Sequence, residues 1–261
     1  MHSTFALLLN RLREPNLVRN GVLPWAAPIP VFGNISRAKV ATVGLNPSDL
    51  EFIDQTGSEL TDGSRRFHTL SSLQLSEWVD ADARQIELML ESCFLYFTRN
   101  PYNRWFRPLD KIMSSTPFSL YRSGACHLDL VPYATSPTWG KLSPQQRRKL
   151  LAINADILPL ILKESKIQIL ILNGKSVAEN FQAMTGSTLR QIEMPAWTLP
   201  SGNRHRGFAY RGEIDRLTGI SLPKPLLVLG YNHNMQSSFG ITADVRQRIG
   251  SWIATEVSKH F

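Results

Sequence analysis

The chain has 261 residues, 43% hydrophobic and 19% charged; this excludes a low-complexity disordered segment and is long enough to bury a core without covalent staples. Its longest apolar runs, 167–172 and 226–229, are too short to cross a bilayer, and no charged start followed by an apolar stretch and a cleavage site marks a secretory signal. Twenty-nine Lys and Arg against 21 Asp and Glu give a formal charge of +8, an electrostatic footprint of nucleic-acid binding that basic enzymes of other classes share.

Phe5, Leu8, Leu9 and Leu12 share one face of a helix predicted over 2–13. Three prolines make 20–34 a loop. The run from Lys39 ends at Pro47 and reads as a buried strand delivering Asn46 to its carboxyl end. Polar, glycine-bearing 54–68 is loop, and helices fit 81–97 and 104–115. A second strand is predicted over 126–133. A long helix is predicted over 143–163, with Ser143 as cap and Pro144 at its first position. A third strand spans 167–172 and a helix follows over 174–184. Residues 191–213 read as a hairpin-like excursion with a basic tip, Arg204-His205-Arg206. A fourth strand at 226–229 leads into a polar loop, and a last helix spans 242–258, with Val245, Ile249, Trp252, Ile253 and Val257 as its apolar stripe.

Short apolar strands alternating with helices predict an α/β fold. The expectation is a three-layer α/β/α sandwich around a central four-stranded, mainly parallel sheet, formed by one domain over 1–261. Ligand sites in such sheets lie beyond the carboxyl ends of the strands. This directs attention to Asn46, Asp129, Asn173 and Asn232–His233. Only two cysteines, Cys93 and Cys126, are present. They exclude a disulfide framework, a Cys₄ zinc site and a cysteine-ligated iron–sulfur cluster, and they fit a reducing cytoplasm as small buried hydrophobes.

Two strand-exit segments carry the chemistry. In Gly44-Leu45-Asn46-Pro47-Ser48 the glycine permits close backbone approach, and the proline turns the chain and exposes Asn46. Tyr231 to Ser238 is a polar cluster around His233 that a core strand does not need. As a pair, GLNPS (44–48) and HNMQSS (233–238) resemble the first and last motifs of the uracil-DNA glycosylase superfamily, nearest its mismatch-specific branch, where Asn holds the catalytic position. Asn103 to Asp110 (NRWFRPLD), Leu128 to Tyr133 (LDLVPY) and Ile169 to Ala178 (ILILNGKSVA) match intermediate segments of that superfamily in order and spacing, so the resemblance covers about 38–258.

The resemblance implies a monofunctional glycosylase that extrudes a nucleotide from double-stranded DNA and hydrolyses its N-glycosidic bond. It implies catalytic roles for Asn46, which positions water, and His233, which bonds the departing pyrimidine. Gly44, Leu45, Ser48 and Asp129 would surround the base, and Trp105 or Phe106 would stack on it. Met235 and Gln236 would probe the base stack, Asn234, Ser237 and Ser238 would lie at the DNA, and Arg204, Arg206 and Lys175 would meet phosphates. No metal, organic cofactor or membrane is expected, and a cytoplasmic monomer is.

Two departures bear on the substrate. Small Ser48 stands where the uracil-restricted branch carries a bulky tyrosine that blocks the pyrimidine C5 side. Asp129 stands where that branch reads the base with Asn, and a carboxylate accepts only, suiting the cytosine amine. Together they point to a 5-modified cytosine, hydroxymethylated or glucosylated as in phage genomes, and to antiviral defence. Asp129 is alternatively a structural partner for an arginine or a backbone N–H. A uracil or thymine-mismatch repair enzyme, a catalytically silent binder of modified DNA and a nucleoside hydrolase stay open. Asp49 is a second carboxyl able to orient water.

Overall fold

The computed structural model describes residues 1–199, 205–236 and 241–261. Its strands are β1 (Val40–Gly44), β2 (Ala125–Asp129), β3 (Ile169–Asn173), β4 (Arg190–Glu193), β5 (Phe208–Leu217) and β6 (Ile220–Tyr231). They form one sheet in the order β2-β1-β3-β6-β5-β4. The first four are parallel neighbours, and β5 and β4 extend the sheet antiparallel. The expected four-stranded sheet is therefore six-stranded. Every residue of β1, β2 and β3 is buried, as strands covered on both faces require.

The two added strands escaped the sequence pattern for a physical reason. In β5 and the first half of β6 charged and apolar residues mix, because this end of the sheet is partly exposed. Their two-residue turn, Thr218-Gly219, has both residues at positive φ, 46° and 80°. That is the geometry of a tight hairpin, but threonine is not the Asn or Asp that signals it. The hairpin expected over 191–213 is present as β4 paired with β5, Arg190 opposite Arg211.

Eight helices accompany the sheet among the described residues: α1 (His2–Arg11), α2 (Pro15–Arg19), α3 (Ala83–Phe94), α4 (Asn103–Ile112), α5 (Pro144–Ile153), α6 (Ile157–Lys163), α7 (Lys175–Thr185) and α8 (Ala243–Ser258). Capping boxes start α3 (Asp82 with Gln85) and α5 (Ser143 with Gln146). The helix expected over 143–163 divides into α5 and α6. Pro159 in a continuous helix would lack the N–H that binds one turn back, and the break places it in the first turn of α6, where that N–H is not needed. Cys93 and Cys126 are free and buried; burial pushes the Cys93 thiol up to about 12. No helix among the described residues is long and apolar enough to cross a membrane.

The parallel register aligns the strand exits. Gly44 lies beside Asp129, and Asn173 beside Tyr231. The residues singled out from the sequence therefore gather along one end of the sheet, at two places: the exits of β1 and β2, and the exits of β3 and β6.

Candidate functional site

A cavity of about 350 Å³ opens at the exits of β1 and β2. This lies at the small end of the range of about 300–1,000 Å³ for ligand pockets. Asn46, Ser48, Glu51, His127 and Asp129 supply its polar lining, and Phe32, Trp105, Phe106 and Trp139 its aromatic walls. Phe106 meets the His127 ring edge-on at 5.2 Å, and Phe32 meets Tyr96 the same way at 4.9 Å. A close-packed aromatic cluster thus holds one side of the cavity rigid.

Asn46 is fixed in orientation. Its amide nitrogen lies 2.9 Å from the Pro47 carbonyl, 3.2 Å from the Tyr133 carbonyl and 3.1 Å from Thr135 Oγ1. Flipping the amide would set its oxygen against two carbonyl oxygens, so the nitrogen is the inward atom. The oxygen accepts no hydrogen bond among the described residues and is the end free for a small polar molecule.

Ser48 begins a short 3₁₀ turn over 49–51. Its Oγ accepts from the Leu50 N–H at 3.2 Å and donates to Asp49 at 3.0 Å. Asp49 is occupied by that turn, also accepting from the Leu50 N–H at 3.0 Å, and does not line the cavity. The same turn carries Glu51 into the cavity wall. Glu51 is 3% exposed, and the Tyr96 hydroxyl donates to its carboxyl group, 2.8 Å from each oxygen. Burial pushes Glu51 up to about 7 against the lowering effects of Tyr96 and Arg66. Sequence reading missed Glu51. Its one available signal was a carboxylate just after a proline turn at a strand exit, and that attention went to Asp49.

Asp129 is 7% exposed, and its Oδ1 lies 3.3 Å from His127 Nε2. His127 Nδ1 is 2.8 Å from Thr42 Oγ1. The Thr42 hydroxyl donating to Nδ1 leaves the hydrogen on Nε2, so the ring sets its polar N–H edge beside the Asp129 carboxyl group, in contact with it but outside hydrogen-bond geometry. Among the described residues Asp129 contacts this histidine and has no arginine or backbone N–H as a partner. Gly44 is required here: a Cβ on it would stand 2.3 Å from Asp129 Oδ1 and 3.0 Å from His127 Nε2. His127 is the second residue missed by sequence, since inside an apolar strand it reads as an ordinary core position. Leu45 does not line the cavity; its carbonyl accepts from the Val131 N–H at 2.9 Å.

The loop after β6 is tied differently. His233 is 7% exposed and its Nε2–H donates to the Trp197 carbonyl at 2.7 Å. Burial holds its pKa below the usual histidine value, so the ring is neutral at pH 7. It does not line the cavity. Asn232 bridges the Phe208 N–H and the Arg206 carbonyl, at 2.8 and 2.7 Å. Met235 is 2% exposed; in this conformation it packs in the core and does not project as a wedge. Gln236 joins the β3 exit to α4, accepting from Asn173 at 2.9 Å and donating to the Trp105 carbonyl at 3.1 Å. It braces the helix that presents Trp105 and Phe106 rather than reaching into solvent. Asn234 is exposed and caps the Gln236 N–H. Ser237, Ser238 and Arg204 lie outside the described residues.

Lys175 is exposed at the start of α7, 3.6 Å from Glu179, and Arg206 is exposed 3.5 Å from Glu193. Both are free enough to meet a phosphate. Arg66 is turned inward, donating to the Leu50 and Asn100 carbonyls at 2.8 and 2.9 Å, and it anchors the turn that carries Glu51. Among the described residues no cluster of His, Cys, Asp or Glu is arranged to hold a metal ion. No protein-family model matches the sequence, and no curated protein matches it.

Proposed function

We propose that the protein is a monofunctional DNA glycosylase that hydrolyses the N-glycosidic bond of a 5-modified cytosine and leaves an abasic site. The observation that carries this reading is the fixed Asn46 amide, with its nitrogen held inward and its oxygen free at a base-sized cavity with aromatic walls. The flipped base would stack against Phe106 or Trp105, while the Asn46 oxygen accepts from a water and directs it at C1′. An amide is a poor base, so the C1′–N1 bond breaks first, its electron pair leaving with the base, and the water gives up its proton late, to the departing base, as its oxygen bonds C1′ of the oxocarbenium-like sugar. Asp129 accepts from the exocyclic amine and disfavours uracil O4. Small Ser48 and Gly140 leave room in the wall for a 5-substituent. The +8 charge and exposed Lys175 and Arg206 suit a DNA partner. Defence against phage DNA carrying such bases is the role that fits this selectivity.

A second reading, a binder of modified DNA that does not cut, is favoured by one observation: His233 is bonded to Trp197 and does not line the cavity. Base release from end-labelled duplexes separates the two. The duplexes carry uracil, mismatched thymine, cytosine, 5-hydroxymethylcytosine or its glucosylated form, and alkali reveals abasic sites. Release from a modified cytosine alone is expected. Release from uracil or mismatched thymine alone makes the protein a repair enzyme. Tight binding with no release makes it a binder.

A further inference from the structure

Two carboxyl groups, Glu51 and Asp129, face one cavity with aromatic walls. In such a space two like charges disfavour each other, and the proton goes to the group whose charged form has less support. Asp129 has His127 Nε2 at 3.3 Å from its Oδ1, the ring held in turn by Thr42. Glu51 has the Tyr96 hydroxyl as its hydrogen-bond donor. Arg66 stands 3.8 Å from Glu51, but its Nε and Nη1 donate to the Asn100 and Leu50 carbonyls instead. Tyr96 is itself held, accepting from the Tyr102 N–H at 2.9 Å.

We propose that Glu51 is a specificity-determining residue that presents a carboxylic acid O–H to the cavity and, paired with the Asp129 carboxylate, reads the cytosine edge. The Glu51 O–H donates to the unprotonated ring nitrogen N3, and Asp129 accepts from the neighbouring amine. The second Glu51 oxygen goes on accepting from Tyr96. A uracil in the same pose sets N3–H against the Glu51 O–H and O4 against the Asp129 carboxylate, two donors together and two acceptors together. This rests on the reading of the cavity as a base pocket. The buried carboxyl titrates near pH 7, so the donor is present below that pH and lost above it. The titratable and charged groups around it are Tyr96 and Tyr102, Arg66, and His127 and Asp129 on β2.

The test is binding of free 5-hydroxymethylcytosine to the whole protein, followed by the fluorescence of Trp105 and Trp139 in the cavity wall, from pH 5.5 to 8.5. With Glu51 titrating at about 7, affinity is expected to be about thirtyfold weaker at pH 8.5 than at pH 6. Glu51→Gln keeps a donor at every pH and should abolish that dependence, because its amide oxygen accepts from Tyr96 while its N–H₂ faces the base. Tyr96→Phe removes the hydrogen bond that favours the ionised form, so its loss of affinity should begin at higher pH. A wild-type profile without the decline, a Glu51→Gln profile that keeps it, free uracil bound as tightly as 5-hydroxymethylcytosine, or no binding at pH 6 each overturns the proposal. The duplex assay stands apart. Base release without this pH signature removes the role of Glu51 and keeps the glycosylase; the signature without base release keeps Glu51 and removes the catalysis.

Discussion

The exits of β1 and β2 carry a few polar residues and the exit of β6 a richer polar run, and the fold uses them in opposite ways. At the first, hydrogen bonds hold functional atoms at a cavity: the inward Asn46 nitrogen frees its oxygen, and Thr42 fixes the His127 ring that stands 3.3 Å from Asp129. At the second, the described polar side chains hold the protein to itself, His233 to Trp197, Asn232 to Arg206 and Phe208, and Gln236 to Asn173 and Trp105. A polar run after a strand thus marks a place where chemistry can be built, and only the direction of each hydrogen bond tells a reactive group from a brace.

The largest expected break falls on the first region. Asn46→Ala should lower base release from the preferred duplex by about 10²–10⁴-fold, the range for losing a positioned group in proton-transfer chemistry. Its thermal midpoint should move little, because the lost bonds belong to a half-buried side chain. Full activity in that variant would remove the assignment of the site.

Next comes pH. The folded protein holds the Glu51 proton to about pH 7, against an ordinary value of 4.5. Between those values the folded state binds a proton the unfolded state has released, so stability falls as pH rises through the window and the full cost stands above 7. The gap, about 7 − 4.5 pH units, corresponds to about 3 kcal/mol. His68, lowered to about 4 by burial and then by Arg65 and Arg99, gives the opposite slope below its ordinary value of 6.5. The quantity to measure is therefore the difference between wild-type and Glu51→Gln denaturation curves at pH 5 and pH 8. The variant should gain relative to wild type as pH rises, and a constant difference would show that Glu51 is ionised throughout.

Which parts were legible follows from what local sequence encodes. β1, β2, β3 and the carboxyl half of β6 were readable because strands buried on both faces are continuous apolar runs. β5 and the other half of β6 were not, because partial exposure admits charge and the Thr218-Gly219 turn lacks the usual residues. Asn46, Ser48, Trp105, Phe106 and Asp129 were readable as cavity residues because strand exits and one amphipathic helix place them. Glu51 and His127 were not. Their roles depend on partners 45 and 85 residues away, Tyr96 and Thr42, and no spacing rule links them.

Gly44→Ala sharpens the first region further. The new methyl would stand 2.3 Å from Asp129 Oδ1, so the carboxylate has to move. Overpacking of this kind costs about 1–3 kcal/mol. The variant should lose discrimination between modified cytosine and uracil more than it loses base release itself, because the nearest neighbours of the new methyl are Asp129 and His127 rather than Asn46. Equal selectivity in variant and wild type would separate Asp129 from base reading.

The smallest effect should come from His233→Ala, and it bears most directly on the contrast between the two regions. The structure makes His233 a neutral donor to the Trp197 carbonyl, and removing it leaves that buried acceptor without its partner, at a cost of about 1–3 kcal/mol. As a brace, His233 should matter to stability while base release falls by less than about tenfold, since the Asn46 and Asp129 contacts do not pass through it. As a donor to the leaving base it would instead act where charge develops, and its loss would cost about 10²–10³-fold in rate. Single-turnover release by the variant, compared with its denaturation midpoint, decides between them: a stability loss with retained rate keeps the exit of β6 structural, whereas a rate loss of that size requires the loop to turn His233 toward the base when DNA binds.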